Sequence, residues 1–440
     1  MGLTDIIHRS VGEFNNKKKD YEFLDTLGAG SFGTVRKAIQ KSTGREVAIK
    51  IILKSRLHGH LEVVQREVEL LGSVKHPHIV ELIDSFETKH NFYIVTQLAT
   101  GGELFDRLVQ KTYFCEYNAC DIVYQMLDAI DYLHQRGIAH RDIKPENVLY
   151  LTDDDASPIV LADFGVSKKI DKQDKKLTGV AGSFGYIAPE IYAGEGYGEL
   201  YGLGQGGYTL SCDIWSLGVV AYTLIGGYSP IRAQTPQDFL NEVRTNNFVV
   251  FHHKYWANIS DEAKDFIIKS LDIDNKRRPT TKELLQHPWI VKHLEQVKNG
   301  GEEKEENIIG NIQEGFNAQA KLRKAVRIVI MKNKLSKLKQ LREEEASFSG
   351  STDEDFNDFS YVGQLEDSKL LDKFHTMDLS SSDTNTLSSA KSISSEKEED
   401  LKKMKSKQLV SAFQTLVRAA QDSKDEIKRF QEEEDKKNRK

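Results

Sequence analysis

Between His140 and Gly165 the chain carries HRDIKPENVL and then ADFG, and this pair of blocks restricts its fold more than any other feature. Asp142, Lys144 and Asn147 crowd into one loop, and Asp163 follows about twenty residues later, directly before Phe164-Gly165. Phosphoryl transfer asks little covalent chemistry of a protein. It needs a carboxylate to orient the attacking hydroxyl, oxygen ligands for Mg²⁺, and cations on the phosphates. Those residue types are all present here. A lone HRD triplet or a lone glycine loop arises by chance, so the weight falls on the order in which further blocks accompany them.

Upstream, Gly28-Ala29-Gly30-Ser31-Phe32-Gly33-Thr34-Val35 fits G-x-G-x-x-G-x-V between two strand-like runs, Phe23 to Leu27 and Val35 to Ile39. Glycines let a backbone close over phosphates with its N–H groups facing them. The same spacing marks a dinucleotide turn when a helix follows. Here a second alternating run follows, which argues for a hairpin. Val47-Ala48-Ile49-Lys50 then supplies a lysine on a third strand. A helix beginning near Leu61 offers two acids as its partner, Glu67 and Glu69; counting back from His76-Pro77 favours Glu67. Downstream come Ala188-Pro189-Glu190, then Asp213-Ile214-Trp215 opening an apolar helix to Ile225, and Arg278 in KRRPT.

Taken in order over roughly 270 residues, these blocks resemble the protein-kinase signature. GGELFDRL (Gly101 to Leu108), HRDIKPENVLY, LADFGVSK and HPWI narrow the resemblance to the calcium/calmodulin-dependent protein kinases, fungal ones in particular, over about Tyr21 to Arg342. The resemblance implies an α+β, bilobal fold and a Ser/Thr kinase using ATP and Mg²⁺. It makes Asp142 the base or orienter of the attacking hydroxyl and sets Lys144 on the transferred phosphoryl group. Asn147 and Asp163 become the metal ligands. Leu27, Gly28 to Val35, Ala48 and Lys50 become the nucleotide site, with Glu67 holding Lys50. Thr96 guards the back of the adenine pocket, and Gln97-Leu98 form the hinge. Lys144 speaks for Ser/Thr over Tyr specificity. Glu190 and Arg278 are expected to form a structural pair. Glu103 and Glu146 are the acids that, in the family, meet an arginine upstream of the phosphorylated residue; a carboxylate suits a guanidinium fork. For Glu103, a helix cap or a ribose contact is the competing reading.

At 440 residues the chain exceeds one compact domain and suits a bilobal enzyme with extensions. A net charge of -6 leaves no nucleic-acid footprint over the whole chain. Three cysteines (Cys115, Cys120, Cys212) cannot all pair and lack metal spacing, which favours a reducing interior. The apolar run near Trp215 to Ile225 is too short for a membrane span. Met1-Gly2 opens like a myristoylation signal, but Ile6 stands where Ser or Thr is expected. A soluble cytoplasmic protein, with nuclear access open, is therefore expected, without a stable membrane anchor.

The expected organisation is a polar lead-in (1–20), a small lobe (21–98), a large lobe (99–290), an autoinhibitory and calmodulin-binding segment (291–345) and a tail (346–440). That tail is Ser/Asp/Glu-rich and expected to be disordered to about 400, with a helix at 401–430. No stretch resembles an association domain, so a monomer is expected. Lys321 to Arg342 holds many basic residues and no acidic ones, with Leu322, Val326, Val329 and Leu335 at relative positions 1, 5, 8 and 14. On a helix these apolar anchors share a face, the pattern of a calmodulin target or of a membrane-surface helix. Such a helix cannot occupy an acidic substrate groove and calmodulin at once, which would make it a switch. The membrane reading, and a pseudokinase scaffold, stay open as alternatives.

Departures from the family pattern are local. The run from Gly194 to Tyr208 lengthens the link from Glu190 to Asp213 by roughly ten residues and reads as a mobile surface loop. Ser183 and Phe184 stand where Thr and Pro are usual. Thr178 is the candidate phosphosite, with Arg141 as the cation for an added phosphate. A calcium-loop-like stretch at Asp353 has Asp358 where Gly is required and Gln364 where Glu is required, so calcium is expected to act through calmodulin.

Overall fold

The structure, a computed structural model, describes residues 17–29, 33–57, 60–170, 176–195, 207–233, 235–245, 248–300 and 305–314. Gly30, Ser31 and Phe32 lie outside the described residues, as do most of the 194–208 insert and everything after 314. That last stretch includes Leu322, Val326, Val329 and Leu335, the acidic tail and the helix expected at 401–430.

The small lobe is a five-stranded antiparallel sheet in the order β1-β2-β3-β5-β4. Its strands are β1 (Tyr21–Ala29), β2 (Gly33–Gln40), β3 (Arg45–Leu53), β4 (Leu82–Glu87) and β5 (Asn91–Gln97). The hairpin expected around the glycine-rich loop is present: Gly28 lies opposite Val35, and Ala29 opposite Thr34. Alternation along β3 divides its two faces. Val47, Ile49 and Ile51 join Tyr21, Ala38, Phe86, Tyr93 and Val95 in one apolar cluster. Ala48 and Lys50 therefore belong to the opposite face. On that face Ile52 and Ile94 pack against Val64 of α1 (Leu61–Gly72). Helical periodicity puts Glu67 on the same buried side of α1 as Val64 and Leu71, so burying the apolar stripe carries a carboxylate toward Lys50.

The large lobe is mainly helical. It contains α2 (Leu104–Leu108), α3 (Glu116–His134), α4 (Ser211–Gly226), α5 (Pro236–Val243), α6 (His253–Trp256), α7 (Asp261–Ser270), α8 (Thr281–Leu285) and α9 (Pro288–Lys298). Two short ladders complete it: β6 (Ile138–Ala139) with β9 (Lys168–Lys169), and β7 (Val148–Tyr150) with β8 (Ile159–Leu161). Helix α4 is apolar all round and buried from Cys212 to Gly226, the mark of a central core helix. Among the described residues no helix is long and apolar enough to cross a membrane.

The boundary expected at 290 falls inside α9, which runs on to Lys298. Residues 305–314 then return to the large lobe. Ile308, Ile309 and Ile312 are buried, and Asn311 Nδ2 donates to the carbonyls of Ile225 and Tyr255. The approach is close at Gly227, the left-handed residue that ends α4: a Cβ there would stand 1.9 Å from the Asn311 carbonyl oxygen.

Candidate active site

On β3, Lys50 Nζ donates to Glu67 Oε1 at 2.6 Å and to Asp163 Oδ1 at 3.0 Å. Burial alone would lower the lysine's pKa, but the two carboxylates outweigh it and push the pKa well up, so the ammonium stays charged. The Asp163 side chain is half exposed; desolvation works to raise its pKa, and Lys50 nevertheless holds its carboxyl below the usual range. Glu69, the other acid considered, faces solvent.

The catalytic loop runs from His140 into the turn Pro145–Asn147. Its backbone is pinned by a buried carboxylate: the amides of His140 and Arg141 donate to Asp213 Oδ2 and Oδ1, each at 2.9 Å. Those bonds hold Arg141 in a left-handed conformation (φ 68) that a non-glycine residue rarely adopts. His134 Nε2 lies 2.9 Å from Asp213 Oδ2. Burial opposes ionisation of Asp213, but His134 and the Arg141 amide keep its pKa below the ordinary value.

Asp142 is held on both oxygens. Ser183 Oγ donates to Oδ1 at 2.8 Å; Lys144 Nζ donates to Oδ2 at 2.6 Å, and Asn147 Nδ2 donates to the same oxygen at 2.9 Å. Lys144 Nζ also donates to Ser183 Oγ at 2.7 Å. Asn147 spends its amide N–H on Asp142, which leaves its side-chain oxygen for another partner. Asp163, also in the left-handed region (φ 61), follows Ala162, whose amide donates to the Asn147 carbonyl. The residues around HRD and ADFG are thereby drawn together with Lys50 and Glu67.

The remaining expected nucleotide residues lie on adjoining backbone. Ala48 pairs with Thr96 and Val47 with Gln97, and Thr96 Oγ1 is 3.5 Å from the Ala48 carbonyl. Val35 is half-buried between buried Thr34 and Arg36, which places Thr34 on the other face of β2. Leu27 is exposed. Gly33 leaves no room for a side chain, since a Cβ would stand 1.8 Å from the Ile51 carbonyl oxygen. Glu103 precedes α2 without making a side-chain capping bond and bridges to Leu149; Glu146 sits in the turn before Asn147.

Three features were not legible as parts of the site. Ser183 appeared only as a departure from the usual residue, yet its hydroxyl links Asp142 and Lys144. Asp213 was read as the start of a helix, and its carboxylate anchors the loop. Tyr208 was assigned to a mobile surface loop, and it is buried: its backbone exchanges two hydrogen bonds with Leu177. Arg141, named above as the cation for an added phosphate, already has partners here. Its guanidinium donates to the Val166 carbonyl at 2.6 Å and to the Tyr208 hydroxyl at 2.9 Å. Thr178 Oγ1 instead accepts from Lys168 Nζ at 3.4 Å. As expected, Glu190 and Arg278 pair away from the site, bidentately at 2.7 and 3.0 Å and fully buried, with the guanidinium over the Trp215 ring.

Comparison with known proteins agrees with this geometry. Residues 21–290 match the protein kinase domain. The chain is similar to the calcium/calmodulin-dependent protein kinase cmkA of Emericella nidulans, with 43% identity over 355 residues, 80% of either protein. A calcium/calmodulin-dependent protein kinase of Metarhizium anisopliae is 42% identical over 355 residues, 80% of this chain and 87% of that one. A calcium/calmodulin-dependent protein kinase type I of Schizosaccharomyces pombe is 36% identical over 321 residues, 72% of this chain and 90% of that one.

Proposed function

The chain belongs to the protein kinase family, within its calcium/calmodulin-dependent group, and from that premise we propose that it is a protein serine/threonine kinase using ATP and Mg²⁺ and switched on by calcium-loaded calmodulin. The observation that carries the catalytic reading is the double hold on Asp142. Lys144, Asn147 and Ser183 fix both carboxylate oxygens, so the group is aimed before a substrate hydroxyl arrives.

In this reading Asp142 accepts the proton of the attacking Ser or Thr hydroxyl, and Lys144 meets the charge that develops on the transferred phosphoryl group. The residues fit the cofactors. Asn147 offers its side-chain oxygen and Asp163 its carboxylate, the hard oxygen donors Mg²⁺ takes alongside phosphates and waters. ATP would supply the γ-phosphoryl group, with Mg²⁺ neutralising the charge on its oxygens. Lys50 stays cationic for the α- and β-phosphates, while Leu27, Val35, Ala48, Thr96, Gln97 and Leu98 frame the base and Gly28 to Val35 cover the phosphates. Glu103 and Glu146 suit an arginine upstream of the target residue. Leu322, Val326, Val329 and Leu335 would be calmodulin's anchors on a helix that otherwise blocks the groove. A cytoplasmic monomer completes the proposal.

The test is kinase activity on an Arg-x-x-Ser peptide, with and without calmodulin, in calcium and in chelator. Activity only with calcium and calmodulin together supports the whole reading. Equal activity in all conditions retains the kinase and removes the autoinhibition, pointing the basic helix to an anionic membrane or another partner.

A further inference from the structure

Tyr208 has no part in the proposed chemistry, yet it touches three parts of the site. Its hydroxyl accepts from Arg141 Nη1 at 2.9 Å and donates to the Gly179 carbonyl at 2.9 Å. Both its donor and an acceptor position are therefore used. Its backbone forms a reciprocal pair with Leu177, at 2.7 and 2.9 Å. Arg141 in turn reaches back to Val166, just past Asp163-Phe164-Gly165, and is itself the residue before Asp142. Gly207 makes the contact possible: it sits at φ +94, and a Cβ there would stand 2.5 Å from the Leu177 carbonyl oxygen. The far side of the same segment is equally tight, since a Cβ at Gly182 would lie 2.6 Å from the Arg141 carbonyl oxygen. Gly179 and Gly182 bracket the approach to Ser183, whose hydroxyl holds Asp142.

We propose that Tyr208 is a positioning residue for phosphoryl transfer: its hydroxyl locks the stretch 177–183 onto the catalytic loop through Arg141, so that Ser183 is set against Asp142 without a phosphate on Thr178. The inference rests on the reading of Asp142 as the carboxylate that orients the substrate hydroxyl. A phosphate placed on an activation segment orders it by offering acceptor oxygens to an arginine. Here a phenol offers Arg141 its acceptor and gives the segment a donor bond that a phosphate dianion cannot give. Burial raises the Tyr208 pKa although Arg141 works against it, which keeps the proton that the Gly179 bond requires. Thr178 meets Lys168 and not Arg141, so the two polar contacts are separate.

The test uses the full chain with calmodulin and calcium, and compares Tyr208→Phe, Gly207→Ala, Thr178→Ala and Asp142→Asn. Tyr208→Phe keeps the buried ring and deletes only the hydroxyl. It is expected to lower kcat about tenfold through lost alignment, with KM for ATP unchanged. Its thermal midpoint should stay near that of the parent, while hydrogen exchange at the Leu177 and Tyr208 amides speeds up. Gly207→Ala should reproduce the loss by forcing the same pair apart, and Thr178→Ala should keep full activity. Loss in Thr178→Ala with full activity in Tyr208→Phe overturns the proposal, because a phosphate would then set the segment. A lowered midpoint in Tyr208→Phe with unchanged kcat also overturns it, by reducing the hydroxyl to a stability contact. Asp142→Asn separates the two failures: if it stays active, the reading of Asp142 falls, and with it the basis for Tyr208.

Discussion

Lys50 and Glu67 meet at 2.6 Å, one from the third strand of the sheet and one from the buried side of its helix, with Asp163 3.0 Å from the same ammonium. Of the two glutamates on this helix, it is Glu67, the one that counting back from His76-Pro77 favoured, that meets the lysine. Glu67→Ala leaves the ammonium to Asp163 alone and frees α1 from the strand, so kcat/KM for ATP is expected to fall about a hundredfold. Glu69 is exposed, and Glu69→Ala should leave the value unchanged. Steady-state ATP titrations of both variants check this; equal losses would mean that the helix, and not the ion pair, sets the lysine.

The Glu190–Arg278 pair predicts stability, not rate. Its two side chains are at most 3% exposed, and the arginine also donates to the Ser211 and Asp272 carbonyls. Removing one partner strands the other charge in the core, which costs about 3–5 kcal/mol. Arg278→Leu should therefore shift urea unfolding by that amount. The activity of the molecules that remain folded should be near that of the parent, since neither side chain contacts Asp142, Lys50 or Asp163. A loss of kcat without a shift in the unfolding midpoint would overturn the assignment.

The elements that were legible in the sequence are those that local periodicity specifies. The strand that carries Lys50 and the helix that begins near Leu61 were both readable, and counting back from His76-Pro77 favoured Glu67. What was not legible depends on contacts between distant segments that leave no periodic trace. Asp213 serves the amides of His140 and Arg141 from the start of another helix. Tyr208 sits at the end of a glycine-rich run whose composition reads as loop, and only its pairing with Leu177 makes it core. The same holds for 305–314. It falls in the stretch 291–345 assigned to regulation, and three of its isoleucines nevertheless join the core.

Asp213 also predicts an acid limb in stability. Its folded pKa is depressed below the ordinary value of 3.8, so below that value the unfolded chain takes up a proton more readily than the folded one. The contribution is fully present above about pH 4, and it is lost as pH falls through the folded pKa. Asp213→Asn should lower the thermal midpoint at neutral pH, where the parent has its charged acceptor. Plotted against pH, the gap between the two proteins should stay level down to about pH 4 and close below it. A gap that widens in acid would mean that the folded pKa is raised.

The docked segment 305–314 separates fold from regulation in the chain after α9. Ile308, Ile309 and Ile312 are buried, and burying an isoleucine is worth about 1.5–3 kcal/mol. Asn307 adds bonds to the Phe114 amide and the Thr112 carbonyl, and Asn311 adds those to Ile225 and Tyr255. A chain ending at 304 should therefore unfold several kcal/mol more easily than one ending at 314. The chain ending at 314 keeps every one of these contacts and lacks the basic segment 321–342. It should have the thermal midpoint of the longer protein and phosphorylate an Arg-x-x-Ser peptide equally in calcium with calmodulin and in chelator. A chain ending at 314 that still needed calmodulin would place the inhibitory contact within the large lobe itself, and the basic segment that carries Leu322 to Leu335 would then need another partner.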